Sequence, residues 1–242
     1  MKNTGQIVIS QSINNGTLSA IFAPDSRFTP RPAAGWWLAS DYDSLMKYLA
    51  EQKLPGKCVA KEGNYVFSLA CDDDLGFGVF TLGGFGTAQE ITWDSGSDIV
   101  TEWWDAGYEI TACGARNSRF YYVMTKGAKG YNGKAQACGT MNSWGEAEQF
   151  IEAMWGEGKI ITGICYSTGL NQYLVIMTES SEGQIYELLE SAGKDWLDEW
   201  YAKEHHPTIV FKDPSQQNIL VVMTGDANRS GYTNRYNYPL KI

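Results

Sequence analysis

One short run constrains this chain more than any other. Val123-Met124-Thr125 returns as Val222-Met223-Thr224, as Ile176-Met177-Thr178, as Val79-Phe80-Thr81 and, more loosely, as Ile21-Phe22-Ala23. In three copies a glycine stands seventeen residues before the middle member: Gly5 before Phe22, Gly63 before Phe80 and Gly107 before Met124. His206 takes that place before Met223, and Gly158 lies nineteen residues before Met177. A β-branched apolar residue follows each anchor by three: Val8, Val66, Ile110, Ile161 and Ile209. A second glycine (Gly35, Gly86, Gly133, Gly183, Gly231) opens a further strand-like run. Five copies in 242 residues give a unit of about fifty residues, the period of propeller-type arrays, and leave no room for a second domain.

Each copy reads as a hairpin followed by a third strand. Turn residues mark the hairpins: Asn14-Asn15-Gly16, Asp72-Asp73-Asp74, Arg116-Asn117-Ser118, Ser167-Thr168-Gly169 and Asp213-Pro214-Ser215. Helical stretches precede the later hairpins. Asp43 or Ser44 is placed to cap Leu45 to Gln52, Asp98 to cap Ile99 to Asp105, and Ser143 with Glu146 forms a capping-box pattern ahead of Glu148 to Gly156. Apolar pairs one turn apart, Phe150 with Met154 and Trp196 with Trp200, mark faces that pack on a sheet. Trp104-Asp105-Ala106-Gly107 matches Trp155-Gly156-Glu157-Gly158, so these glycines are expected to end helices in the left-handed conformation.

The fold expected is an α+β repeat protein. It has five units of three antiparallel strands, approximately 1–42, 43–93, 94–142, 143–191 and 192–242, four of them preceded by a helix. Such units bury their apolar faces only against neighbours, which predicts closure as a five-bladed propeller-like ring. A pentein-like α/β propeller is the alternative.

Charge narrows the function. The net charge is -9, which argues against broad nucleic-acid binding, since that affinity rests on clustered positive charge. The start of the sequence lacks the apolar core of a signal peptide, and no apolar run is long enough to span a membrane. Five cysteines without Cys-x-x-Cys spacing fit a reduced, cytoplasmic setting. The triple aspartate lacks the alternating oxygen ligands of a calcium loop and aligns with ordinary turns; no metal or cofactor is expected.

The second loops of the units carry a different chemistry. They hold Arg27, Phe28, Arg31, Phe85, Lys126, Lys129, Tyr131, Lys134, Arg229, Tyr232 and Arg235. Seven basic residues there face four acidic ones (Asp25, Glu179, Glu182, Asp226), a surplus of about three in a chain of -9. Equivalent loops emerging on one side make a basic, aromatic, glycine-rich rim on an acidic body. That rim is the expected partner-binding face.

The phrase Trp104-x-x-Gly107-Tyr108-x-Ile110, then Tyr122-Val123-Met124-Thr125-Lys126-Gly127 and Gly130-Tyr131, resembles the repeat domain that follows the kinase in plant casein-kinase-I-like proteins. Related domains accompany bacterial caspase-like peptidases. The resemblance covers units two to five better than unit one, and His205-His206 stands where its pattern has glycine. It implies a non-catalytic regulatory or recognition module whose partner is another protein, a protease or a regulator, in a bacterial signalling or defence pathway.

Enzyme readings have less to stand on. The two histidines are adjacent, and there is no HExxH motif, nucleophile elbow, phosphate loop or dinucleotide fingerprint. A guanidino-group hydrolase would need Cys113 or Cys165 to meet His205 or His206 and an acid in the fold. A lectin-like binder would need equivalent pockets between units, and the loops diverge.

Overall fold

The computed structural model describes residues 6–14, 17–24, 35–39, 64–71, 76–82, 86–128, 130–189, 194–212, 219–225 and 235–241. Five hairpins run through it: β1 (Gln6–Asn14) with β2 (Thr17–Pro24), β4 (Asn64–Cys71) with β5 (Gly76–Leu82), β7 (Tyr108–Arg116) with β8 (Arg119–Lys126), β10 (Lys159–Ser167) with β11 (Gln172–Glu179), and β13 (His205–Lys212) with β14 (Ile219–Gly225). Between them lie β3 (Gly35–Ala39), β6 (Ala88–Asp94), β9 (Gln136–Met141), β12 (Gln184–Leu189) and β15 (Arg235–Lys241).

The expected architecture is corrected here. Each intervening strand leaves its own hairpin and pairs with the next one: β3 with β5, β6 with β8, β9 with β11 and β12 with β14, while β15 pairs with β2. No sheet is therefore built from the three strands of one repeat. The result is five separate three-stranded antiparallel sheets, none closed on itself, in place of the five-bladed closed ring or pentein-like propeller read from the sequence. Among the described residues the strand ladders end at each sheet's edge, and side chains and connecting segments carry the hydrogen bonds between sheets. Helix among the described residues comprises α1 (Val100–Asp105), α2 (Trp144–Gly156) and α3 (Lys194–Ala202); the helix expected at Leu45 to Gln52 lies outside them.

The Val-Met-Thr runs occupy the centre of each sheet, which explains why they are continuously apolar. Every residue of Phe120 to Thr125, Tyr173 to Thr178 and Leu220 to Thr224 is buried. Alternate side chains serve different cores, as the two-residue period of a strand requires. Leu174 and Ile176 pack with Phe120, Tyr122 and Met124 of the preceding sheet, while Tyr173, Val175 and Met177 pack with Ile209, Phe211, Leu220 and Val222 of the following one. A side chain of this size buried so completely contributes about 1.5–3 kcal/mol.

A β-bulge interrupts every first strand at the same place: after Val8, Val66, Ile110, Ile161 and Pro207. The fifth of these corrects the sequence register, because Pro207, and not Ile209, faces Met223. Counting back, the residue equivalent to Gly107 and Gly158 is Glu204, not His206. All three end a helix with left-handed backbone, at φ +79°, +75° and +59°. Their amides complete the turn by donating to Trp104, Trp155 and Tyr201 carbonyls at 2.9, 3.0 and 3.1 Å.

Glutamine joins adjacent sheets at the bulges. Gln136 of β9 accepts the Trp104 indole N–H at 3.1 Å and the Ile110 amide at 2.7 Å, then donates to the Ile110 carbonyl at 2.9 Å and the Thr178 hydroxyl at 3.0 Å. Gln184 of β12 repeats all four with Trp155, Ile161 and Thr224. The bulged threonines extend the network: Thr111 meets Thr125, Thr162 meets Thr178 and Thr208 meets Thr224, each at 2.7 Å. Thr111 donates its one proton to the Val123 carbonyl, so Thr125 donates to Thr111 and accepts from Gln89. The last residue of the recurring run is thus a buried relay.

Two helix-start expectations divide. Ser143 caps α2 by accepting from the Glu146 amide at 3.2 Å, and Glu146 returns to the Asn142 amide at 2.8 Å. Asp98 does not cap α1: the Asp98 carbonyl, not its carboxylate, meets the first turn.

Candidate functional site

The described part of the expected rim is the loop from Gly127 to Ala135 between β8 and β9. Its path is set by left-handed backbone at Gly127, Gly130 and Gly133, at φ +64°, +90° and +73°. Two carboxylates hold it. Glu109, buried on β7, accepts the Gly133 amide at 3.4 Å. Glu179, at the end of β11, accepts the Ala135 amide at 3.3 Å, and its own amide donates to the Ala135 carbonyl at 2.8 Å. The loop is therefore moored both to its own sheet and to the next.

The rim residues have different roles. Lys134 is exposed. Tyr131 is half-buried with its hydroxyl end turned inward, and burial pushes the phenol up to about 12. Lys126 donates to the Ala106 carbonyl at 2.9 Å, at the negative C-terminal end of α1, and lies over the Tyr108 ring at 5.5 Å. It helps to tie helix to sheet. Arg235 opens β15 opposite Phe22. Arg27, Phe28, Arg31, Phe85, Lys129, Arg229 and Tyr232 lie outside the described residues, as does the triple aspartate.

The residues named for a hydrolase are placed as follows. Cys113 and Cys165 are buried in the core around Tyr122, and neighbouring Cys138 has its thiol pushed up by burial. His205 and His206 open β13. The His205 ring packs edge-on to Trp200 at 4.8 Å and meets the Lys203 carbonyl at 2.8 Å; His206 lies 6.2 Å from the Tyr201 ring. Trp104 and Trp155, read as packing residues, also supply the indole donors to Gln136 and Gln184.

Sequence reasoning passed over Glu109, whose second carboxylate oxygen is buried without a protein partner. It also passed over Trp93, which is 48% exposed and carries the Arg119 guanidinium 3.8 Å above its ring. Among the described residues, no group of three or more acidic, histidine or cysteine side chains is arranged to hold a metal. No described helix is long and apolar enough to cross a membrane. No protein-family model matches the chain, and no curated protein matches it.

Proposed function

We propose that this protein is a non-catalytic interaction module that engages another protein through the loops of its basic rim. The observation that carries this reading is the Gly127–Ala135 loop, moored by Glu109 and Glu179 while Lys134 stays exposed. A loop fixed in advance loses less entropy on docking than a mobile one, so its contacts translate more fully into affinity. The chain's net charge of -9 gives a local basic rim a role in orienting an acidic partner surface. The resemblance to repeat domains beside casein-kinase-I-like kinases and caspase-like peptidases supports a protease or its regulator as that partner, in a bacterial signalling or defence setting.

The test is affinity capture from the native host with the wild-type chain and with Lys129→Glu/Arg229→Glu. A protein partner held by the wild type and weakened at least tenfold by the pair of reversals supports the reading. A partner bound equally by both chains removes the rim from consideration.

A further inference from the structure

The hairpin end of the β6-β8-β7 sheet carries an exposed arginine–tryptophan pair. Arg116 and Arg119 are directly opposite one another across the Asn117-Ser118 turn. Like charges in that relation destabilise a strand pair. Arg119 stacks over Trp93, the one large hydrophobic residue exposed among those described. Trp103, Trp104, Trp144, Trp155, Trp196 and Trp200 are buried or half-buried. No hydrogen bond or ion pair among the described residues occupies the Arg119 guanidinium. Asp94, the nearest acid along β6, has its Oδ1 taken by the Ser95 amide at 2.7 Å.

An arginine lying over an indole has lost some of its side-chain freedom, and Arg119 itself stays exposed. Tryptophan and arginine are also the residues that most often dominate protein interfaces. From this surface we infer a second docking site, for an acidic segment of a protein partner. A carboxylate of that segment bridges the Arg119 donors, and an adjacent apolar side chain covers the open part of Trp93. Two arginines on a chain of pI about 4.8 are too few to hold a polyphosphate backbone. The site lies at the opposite end of β8 from Lys126, about 23 Å away at strand rise, so it is separate from the rim.

This inference rests on the interaction-module reading, but its test does not pass through the rim. The probe is a fluorescein-labelled decapeptide of alternating glutamate and leucine, followed by anisotropy. A glutamine-for-glutamate peptide and a ten-residue thymidine oligonucleotide serve as comparisons, and each variant's fold is checked by circular dichroism. The expected result is acidic-peptide binding that weakens at least fivefold in Arg119→Gln and about threefold in Trp93→Ala, and is unchanged in Lys203→Gln, an exposed lysine in neither site. Absent binding, equal affinity in Arg119→Gln, equal binding of the glutamine peptide, or tighter binding of the oligonucleotide overturns the site. Failure of the rim reading shows separately, as a captured partner indifferent to Lys129 and Arg229.

Discussion

Gln136 holds the backbone of Ile110 on both sides of its Cα, accepting its N–H at 2.7 Å and donating to its C=O at 2.9 Å. The two residues belong to different sheets. A β-bulge turns backbone groups away from ladder partners, and this amide supplies the ones that are missing. With the Trp104 indole and the Thr178 hydroxyl also engaged, one side chain satisfies four polar groups at a seam.

Replacing Gln136 with leucine, which keeps the bulk and loses every hydrogen bond, is expected to cost about 2–4 kcal/mol because several part-buried groups are left unpaired. Urea unfolding of the variant checks this. The same substitution at Gln184 is expected to cost a similar amount, since its four partners are equivalent.

Glu204 is a non-glycine residue with left-handed backbone where Gly107 and Gly158 stand in the sister positions. Glu204→Gly is expected to stabilise the protein by about 0.5–1 kcal/mol, and Gly158→Ala to destabilise it by about as much. Thermal melts of the two variants, shifted in opposite directions, are the readout.

Gly169 sits where two hairpin turns interlock. A Cβ there would lie 2.5 Å from the Asn117 carbonyl carbon, and the Gly169 amide donates to the Asn117 oxygen at 3.1 Å. Gly169→Ala is expected to cost about 1–3 kcal/mol, since backbone has to move to admit the methyl group. Equilibrium denaturation measures the loss.

Alkaline pH is expected to weaken the fold through two phenols. Burial holds Tyr131 up to about 12. Tyr186 is also held up to about 12, by burial first and then by the Glu148 and Glu152 charges and its hydrogen bond to Glu148. Both pKa values are raised above the ordinary 10, so the stabilising contribution is complete below pH 10 and is lost between about pH 10 and 12. Tyr131→Phe/Tyr186→Phe is expected to flatten that part of the stability–pH curve, measured by denaturation at stepped pH.

The sequence made the centre of each sheet legible. Val-Met-Thr is apolar on both faces and ends in a buried hydroxyl, so it recurs as an uninterrupted run that needs no alignment to be seen. The exchange of strands was not legible, because a third strand has the same pattern whether it returns to its own hairpin or joins the next. The glutamine joint was hidden by spacing. Gln89 and Gln136 follow Gly86 and Gly133 by three residues, but Gln184 follows Gly183 directly; what stays constant is the threonine across the strand. Glu204 was not legible as a helix end, because glycine is the residue that ordinarily adopts the left-handed conformation there. At the rim, the lysines were readable as charges, but only coordinates reveal that Lys126 closes a helix end while Lys134 faces outward.

The most direct test of the interaction account is hydrogen–deuterium exchange on the captured complex, followed residue by residue around Gly127–Ala135 and along α2. Docking at the rim predicts slowed exchange in the loop when the partner is bound, with the exposed side of α2 at Gln149, Glu152 and Ala153 unchanged. Protection confined to α2, with the loop exchanging as in the free chain, would contradict it.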